Sequence, residues 1–215
     1  MSDLLIRQDV LTELEFEPSV NAANIGVAVE NGVATLTGHV ESYVEKAVAE
    51  AAARRVTGVR AIAEHIEVRY PERKKRADDE IAARALDIIS WDTALPDGAI
   101  DVKVERGCVT LSGEVRWHFQ RLAAEAAVNK LGGVTEVRNL LTIRPTAQVP
   151  DIKGRIERAL ARNAEVEAEA IRVAVSGHTV TLEGTVHGVK ERQVAEYAAW
   201  SAPSVTAVDN RLTVA

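Results

Sequence analysis

Five histidines (His39, His65, His118, His178 and His187) and one cysteine, Cys108, are the side chains of this 215-residue chain best suited to metal ligation or nucleophilic chemistry. Their spacing serves neither. No two histidines form an H-E-x-x-H helix face, the arrangement that sets two imidazoles on one zinc ion. No G-x-S-x-G elbow and no phosphate-binding glycine loop occurs. The expectation is therefore a protein with no catalytic residues, no metal and no cofactor, in which the histidines lie on the surface. A single cysteine excludes an intramolecular disulfide and fits a reducing compartment.

The charge pattern offers one binding element. The run Glu72–Arg73–Lys74–Lys75–Arg76 is a candidate contact for anionic lipid headgroups, each cation near such a surface being worth ~1 kcal/mol; Asp78, Asp79 and Glu80 follow it at once and weaken it. A formal net charge of −6 argues against nucleic acid as a partner. The first residues, MSDLLIRQDVLTELEFEP, mix acids with apolar residues and read as no secretory leader. No apolar stretch approaches the ~18–20 residues of a membrane span. A cytoplasmic location is expected.

These residues sit on a threefold repeat. TLTGHV at 35–40, TLSGEV at 110–115 and TLEGTV at 181–186 align on Gly38, Gly113 and Gly184, spaced by 75 and 71 residues. At the same offsets IGVAVEN, IDVKVER and IRVAVSG coincide, as do GVRAIAEHIEV, GVTEVRNLLTI and SVTAVDNRLTV. Upstream, Ile6, Val10 and Leu14 match Ile81, Ala85 and Ile89, then Ile152, Ile156 and Leu160, a helical stripe at i, i+4, i+8. Each copy reads helix, strand, two-residue turn, strand, alanine-rich helix, strand. The turns fall at Asn31–Gly32, Arg106–Gly107 and Gly177–His178, with Val29, Val104 and Val175 facing the core. Ser42 and Glu45 suggest a capping box at the second helix. The fold class is α/β (α+β): three tandem αββαβ modules, each a three-stranded mixed sheet on two helices, over 1–69, 78–144 and 150–215. Gly38, Gly113 and Gly184 are read as structural glycines on the buried face, leaving a gap that lets a helix approach the sheet or the strand bend.

The alternating strand, the glycine turn, the VTLxGxV strand, the alanine-rich helix and the closing GVxxVxNxLxV strand together resemble the BON (bacterial OsmY and nodulation) domain. GCVTLSGEV with GGVTEVRNLLTI, and HTVTLEGTV with SVTAVDNRLTV, carry the resemblance, and RWHFQR and AAWSAPSVTAVDNRLTV are similar to segments of bacterial proteins with three such domains. It implies a non-enzymatic module associated with osmotic and envelope stress, which contacts phospholipid surfaces or proteins and in most relatives is exported.

Aromatic residues are few, so their placement is informative. Trp91 aligns with Phe16 and is expected to pack the end of the first helix. Trp117 aligns with Ser42 and Gly188, at a helix start, and Phe119 follows it. Trp200 aligns with Arg54 and Asn129, one step beyond the stripe Ala195, Ala198, Ala199. An aromatic where other copies are polar points to an interface, so Trp117, Phe119 and Trp200 are candidate contact residues for a neighbouring domain, another copy, a protein partner or a lipid surface. The leading expectation is a stress-response binding protein that contacts anionic phospholipid or protein. The alternative is a structural protein that self-assembles through its repeats.

Overall fold

The computed structural model describes residues 2–71, 76–145, 150–163 and 167–214. The element order repeats as the sequence does. The first copy holds α1 (Asp3–Phe16), β1 (Ile25–Glu30), β2 (Val33–Val40), α2 (Tyr43–Arg55) and β3 (Ala61–Val68). The second holds α3 (Asp78–Trp91), β4 (Ile100–Glu105), β5 (Cys108–Val115), α4 (His118–Asn129) and a third strand in two pieces, β6 (Glu136–Asn139) and β7 (Thr142–Ile143). The third holds α5 (Ile152–Ala161), β8 (Ile171–Ser176), β9 (Thr179–Val186), α6 (Val189–Trp200) and β10 (Ala207–Val214). In each, the hairpin is antiparallel and the strand after the crossover helix pairs parallel to the central strand. The sheets are mixed, as a helical crossover requires. Contacts divide the chain into two compact units, Met1–Gly113 with Arg121–Leu141, and Glu114–Gln120 with Thr142–Ala215.

The cores follow from two periodicities. Ile6, Val10 and Leu14 are buried on α1, Ile81, Ala85 and Ile89 on α3, and Ile152, Ile156 and Leu160 on α5. The alanines of the second helices, Ala49, Ala52 and Ala53 on α2 and Ala195 and Ala199 on α6, are buried against the sheet; small side chains let a helix lie close. Along the central strands Ala34, Leu36 and Val40, then Val109, Leu111 and Val115, then Val180, Leu182 and Val186 face inward. Val29, Val104 and Val175, one pair from the hairpin ends, are half-buried.

The hairpin turns differ by copy. Asn31 and Gly32, and Arg106 and Gly107, all have positive φ, the type I′ pattern. In the third copy only Gly177 is left-handed, which is the type II′ pattern and explains why glycine comes first there. The first helical residue clamps the first two turns. Asp3 accepts from the Asn31 and Gly32 N–H groups at 2.8 and 3.0 Å, and Asp78 from those of Arg106 and Gly107 at 2.7 and 2.9 Å.

The repeated glycine has a different reason from the expected one. Gly38, Gly113 and Gly184 have φ of +119, +124 and +136°, and a Cβ on them would stand 2.0–2.1 Å from the carbonyl oxygen of Asn24, Ala99 or Ala170. The space is filled by the backbone entering the first strand and lies under no helix, and Gly38 itself is exposed. Only glycine accepts both the conformation and the approach.

A second backbone anchor sits at the third residue of each second helix. Glu45 accepts from the N–H groups of Asn21 and Glu41, both at 2.9 Å. Ser42 caps the Glu45 N–H at 3.2 Å, so the capping box is half-formed: the carboxylate reaches past Ser42 to tie the loop before β1. Glu191 repeats this with the N–H groups of Glu167 and His187, at 2.8 and 2.7 Å. In the second copy Pro96 stands at the position of Asn21 and Glu167 and has no N–H to give. There the residue is Gln120, whose side-chain oxygen accepts from Arg116 and Trp117 N–H at 3.0 and 3.2 Å.

The third strands are pinned to the second helices. Asn139 and Asn210 donate to Glu125 and Glu196 at 3.0 and 2.8 Å, and Arg121 and Arg192 donate to the backbone carbonyls of those asparagines. In the first copy Glu64 replaces the asparagine and pairs with Lys46 at 2.8 Å. Ion pairs two residues apart lie on or at the end of these strands, Glu67–Arg69 running past β3 and Glu136–Arg138 and Asp209–Arg211 within β6 and β10. Within the first unit the Tyr70 hydroxyl donates to the Val134 carbonyl at 3.0 Å, and burial pushes its pKa up.

Gly113→Ala is expected to lose roughly 2–4 kcal/mol, since the methyl group meets a backbone oxygen in a strained conformation; chemical denaturation checks it, and an unchanged midpoint would refute the carbonyl contact. Glu191→Ala should lose roughly 1–3 kcal/mol by leaving two N–H groups without their acceptor. Burial alone would raise the Glu191 pKa, but the two backbone N–H groups and His187 outweigh it and hold the carboxyl below its ordinary 4.5. Its stabilisation is therefore complete above the ordinary carboxylate range and is lost as pH falls through the depressed folded value. Denaturation midpoints of native protein and Glu191→Gln should converge on acidification below that range.

Candidate interaction surface

One cleft in the second unit gathers the candidate aromatics. Trp117, His118, Phe119, Tyr197, Trp200 and Ser201 line a cavity of about 130 Å³. α4 begins at His118 and α6 ends at Trp200, so the cleft joins the start of one second helix to the end of another. The His118 and Trp200 rings stack with centroids 4.2 Å apart and planes 8° from parallel. The Trp200 indole N–H donates to Glu196 at 3.4 Å, and the ring also packs against the third core. Around this half-buried pair, Trp117, Phe119 and Tyr197 remain 39, 48 and 59% exposed.

His118 and Tyr197 were not distinguished by sequence reasoning. Sequence alone reads His118 as a surface histidine, yet it is half-buried and stacked on an indole. The available signal was its place between Trp117 and Phe119 in RWHFQR. Trp91 corrects another expectation. It is 85% exposed and Phe16 is 83% exposed, so neither packs the end of its helix. Trp91 instead borders a shallow groove of about 490 Å³ with Ile88, Asp92, Ala123, Ala126, Ala127 and Lys130. The first copy closes the equivalent place with charge: Arg55 bridges Glu13 and Glu17 at 2.9 and 3.3 Å. Ile88 stands where Glu13 does, which removes half of that bridge.

The basic run falls largely outside the described residues: Arg73, Lys74 and Lys75 lie there, and only Arg76 is described, exposed and ion-paired with Glu80 at 3.5 Å. Cys108 is half-buried, and burial with the Glu136 carboxylate beside it pushes its thiol pKa up, away from a reactive thiolate. Among the described residues no three His, Cys, Asp or Glu side chains are grouped to hold a metal ion. No described helix is long and apolar enough to cross a membrane.

The family model of the BON domain matches three times, over residues 2–70, 77–145 and 148–215. The chain belongs to the BON domain family. It is also 30% identical over 147 residues, 65% of this chain and 71% of the relative, to the osmotically-inducible protein Y of Escherichia coli (strain K12). The C-terminal domain of CdsD, a structural protein of the type III secretion system of Chlamydia trachomatis, is a solved structure 13% identical over all of both chains, with a TM-score of 0.28. In this BON chain the cores and glycines recur in every copy, whereas the cleft aromatics do not. The positions of Trp117, Phe119 and Trp200 hold Ser42, Val44 and Arg54 in the first copy.

A double-mutant cycle of His118→Ala and Trp200→Arg should return a coupling of about 0.5–1.5 kcal/mol, the worth of a stacked pair. Trp200→Arg should still fold, since the first copy carries arginine there. A coupling near zero would mean that the stack contributes nothing in solution.

Proposed function

We propose that this BON chain is a non-enzymatic interaction protein of osmotic-stress physiology that docks on anionic phospholipid surfaces through the aromatic start of α4. The observation that carries the reading is the exposure of Trp117 and Phe119 of the second copy beside Tyr197 of the third, at positions where no other copy is aromatic. Aromatic rings of this kind favour the headgroup level of a bilayer, and the Arg73–Arg76 run supplies the positive charge that an anionic surface attracts. The name of the Escherichia coli relative supports the stress context. The expected compartment is the cytoplasm, which fits the single Cys108; cell fractionation tests it.

A second reading, self-assembly or docking of a protein partner, is favoured by the open groove at Trp91. Co-sedimentation with phosphatidylglycerol vesicles should exceed that with neutral vesicles, fall with added salt, and fall several-fold for Trp117→Ala combined with Phe119→Ala. Equal pelleting with both lipids, together with an oligomer by light scattering that Trp91→Glu dissolves, would favour the second reading.

A further inference from the structure

The whole chain has three Trp, three Tyr and two Phe, and four of these eight line one cleft of about 130 Å³, with His118 as a fifth ring. The fold does not ask for this concentration. At the positions of Trp117 and Phe119 the other copies carry Ser42 and Gly188, Val44 and Lys190; Tyr197 aligns with Ala51 and Ala126; Trp200 aligns with Arg54 and Asn129. The His118–Trp200 stack uses only part of the aromatic area, and three rings keep 39–59% of their surface in solvent.

The chemistry of the lining selects a ligand. It contains no lysine or arginine, so an anionic group finds no counter-charge. It contains no carboxylate, so a small hydrated metal or a primary ammonium finds no oxygen cage. The volume lies well below that of sites for larger organic molecules, roughly 300–1,000 Å³, and suits one compact group. Aromatic faces carry negative quadrupole potential and attract a cation that sheds little hydration. Glu196, accepting from the Trp200 indole N–H at 3.4 Å, places a negative charge at the edge of that ring, and the chain is net acidic at −6.

We infer that this cleft binds a quaternary ammonium group, the methyl-capped cation shared by free choline-type solutes and by the trimethylammonium headgroup of a lipid. The site does not depend on anionic lipid docking, and the two ideas fail separately.

The test uses the full chain and choline chloride, followed by saturation transfer to the choline methyl resonance and by tryptophan fluorescence, against sodium chloride at equal ionic strength. A saturable response beyond the salt control is expected. Trp117→Ala should weaken it roughly 3- to 10-fold, Trp117→Phe should restore most of it by keeping a ring face, and Trp91→Ala, outside the cleft, should leave it unchanged. Circular dichroism of each variant confirms that it is folded. Phosphatidylcholine vesicles separate the sources: pelleting as well as choline saturation assigns the headgroup, whereas choline saturation alone assigns a free solute. A choline response no greater than sodium chloride, or one that Trp117→Ala leaves intact, overturns the inference, and so does binding to vesicles without binding to choline. Phosphatidylglycerol pelleting alongside a null choline result would leave the anionic-surface reading standing while this one falls.

Discussion

Each module turns on a carbonyl oxygen that occupies the place of a missing side chain. The oxygens of Asn24, Ala99 and Ala170 lie where a Cβ of Gly38, Gly113 or Gly184 would be, and the same glycines pair with Ile25, Ile100 and Ile171 at the start of the hairpin. The contact therefore fixes where the first strand enters the sheet. The register of the hairpin, the inward face of the central strand and the seat of both helices follow from it. The carboxylates of Glu45 and Glu191 hold the preceding loop from the other side, so the entry is gripped between a strand and a helix N-terminus.

With the carbonyl contact common to the copies, differences around it become informative. Gln120 replaces the acid where Pro96 removes the N–H that the acid would bind, a matched pair of changes within one structural device. The aromatics at 117, 119, 197 and 200 have no such compensation inside a module. They line one cleft instead, and only Trp200 among them also packs against a module's core, which separates residues that make the fold from residues added to it.

The repeat made most of the fold legible. Three aligned sequences show which positions stay apolar, and helix stripes, strand faces and turns follow from period and turn chemistry alone. What escaped depends on contacts across sequence distance. The reason for Gly113 is the carbonyl of Ala99, in the loop that enters β4, so a local reading assigned its gap to a helix. Trp91 and Phe16 share a repeat position, but sharing a position does not say that it is inside. The candidate aromatics Trp117, Phe119 and Trp200 were visible as departures from the repeat. That they line one cleft, with His118 as the stacking partner, required the chain to be folded.

The paired charges on the third strands have a consequence for crowding. The third strands are edge strands of their sheets, and bare edges seed fibres when chains are concentrated; in the second copy Tyr43 and Tyr70 already engage the backbone at Val137 and Val134. Glu67 with Arg69, Glu136 with Arg138, and Asp209 with Arg211 place both signs of charge along those edges. Exposed pairs of this kind contribute little to folding. Backbone pairing at such a strand carries the added cost of desolvating both ions of its pair, which disfavours cross-β growth from it.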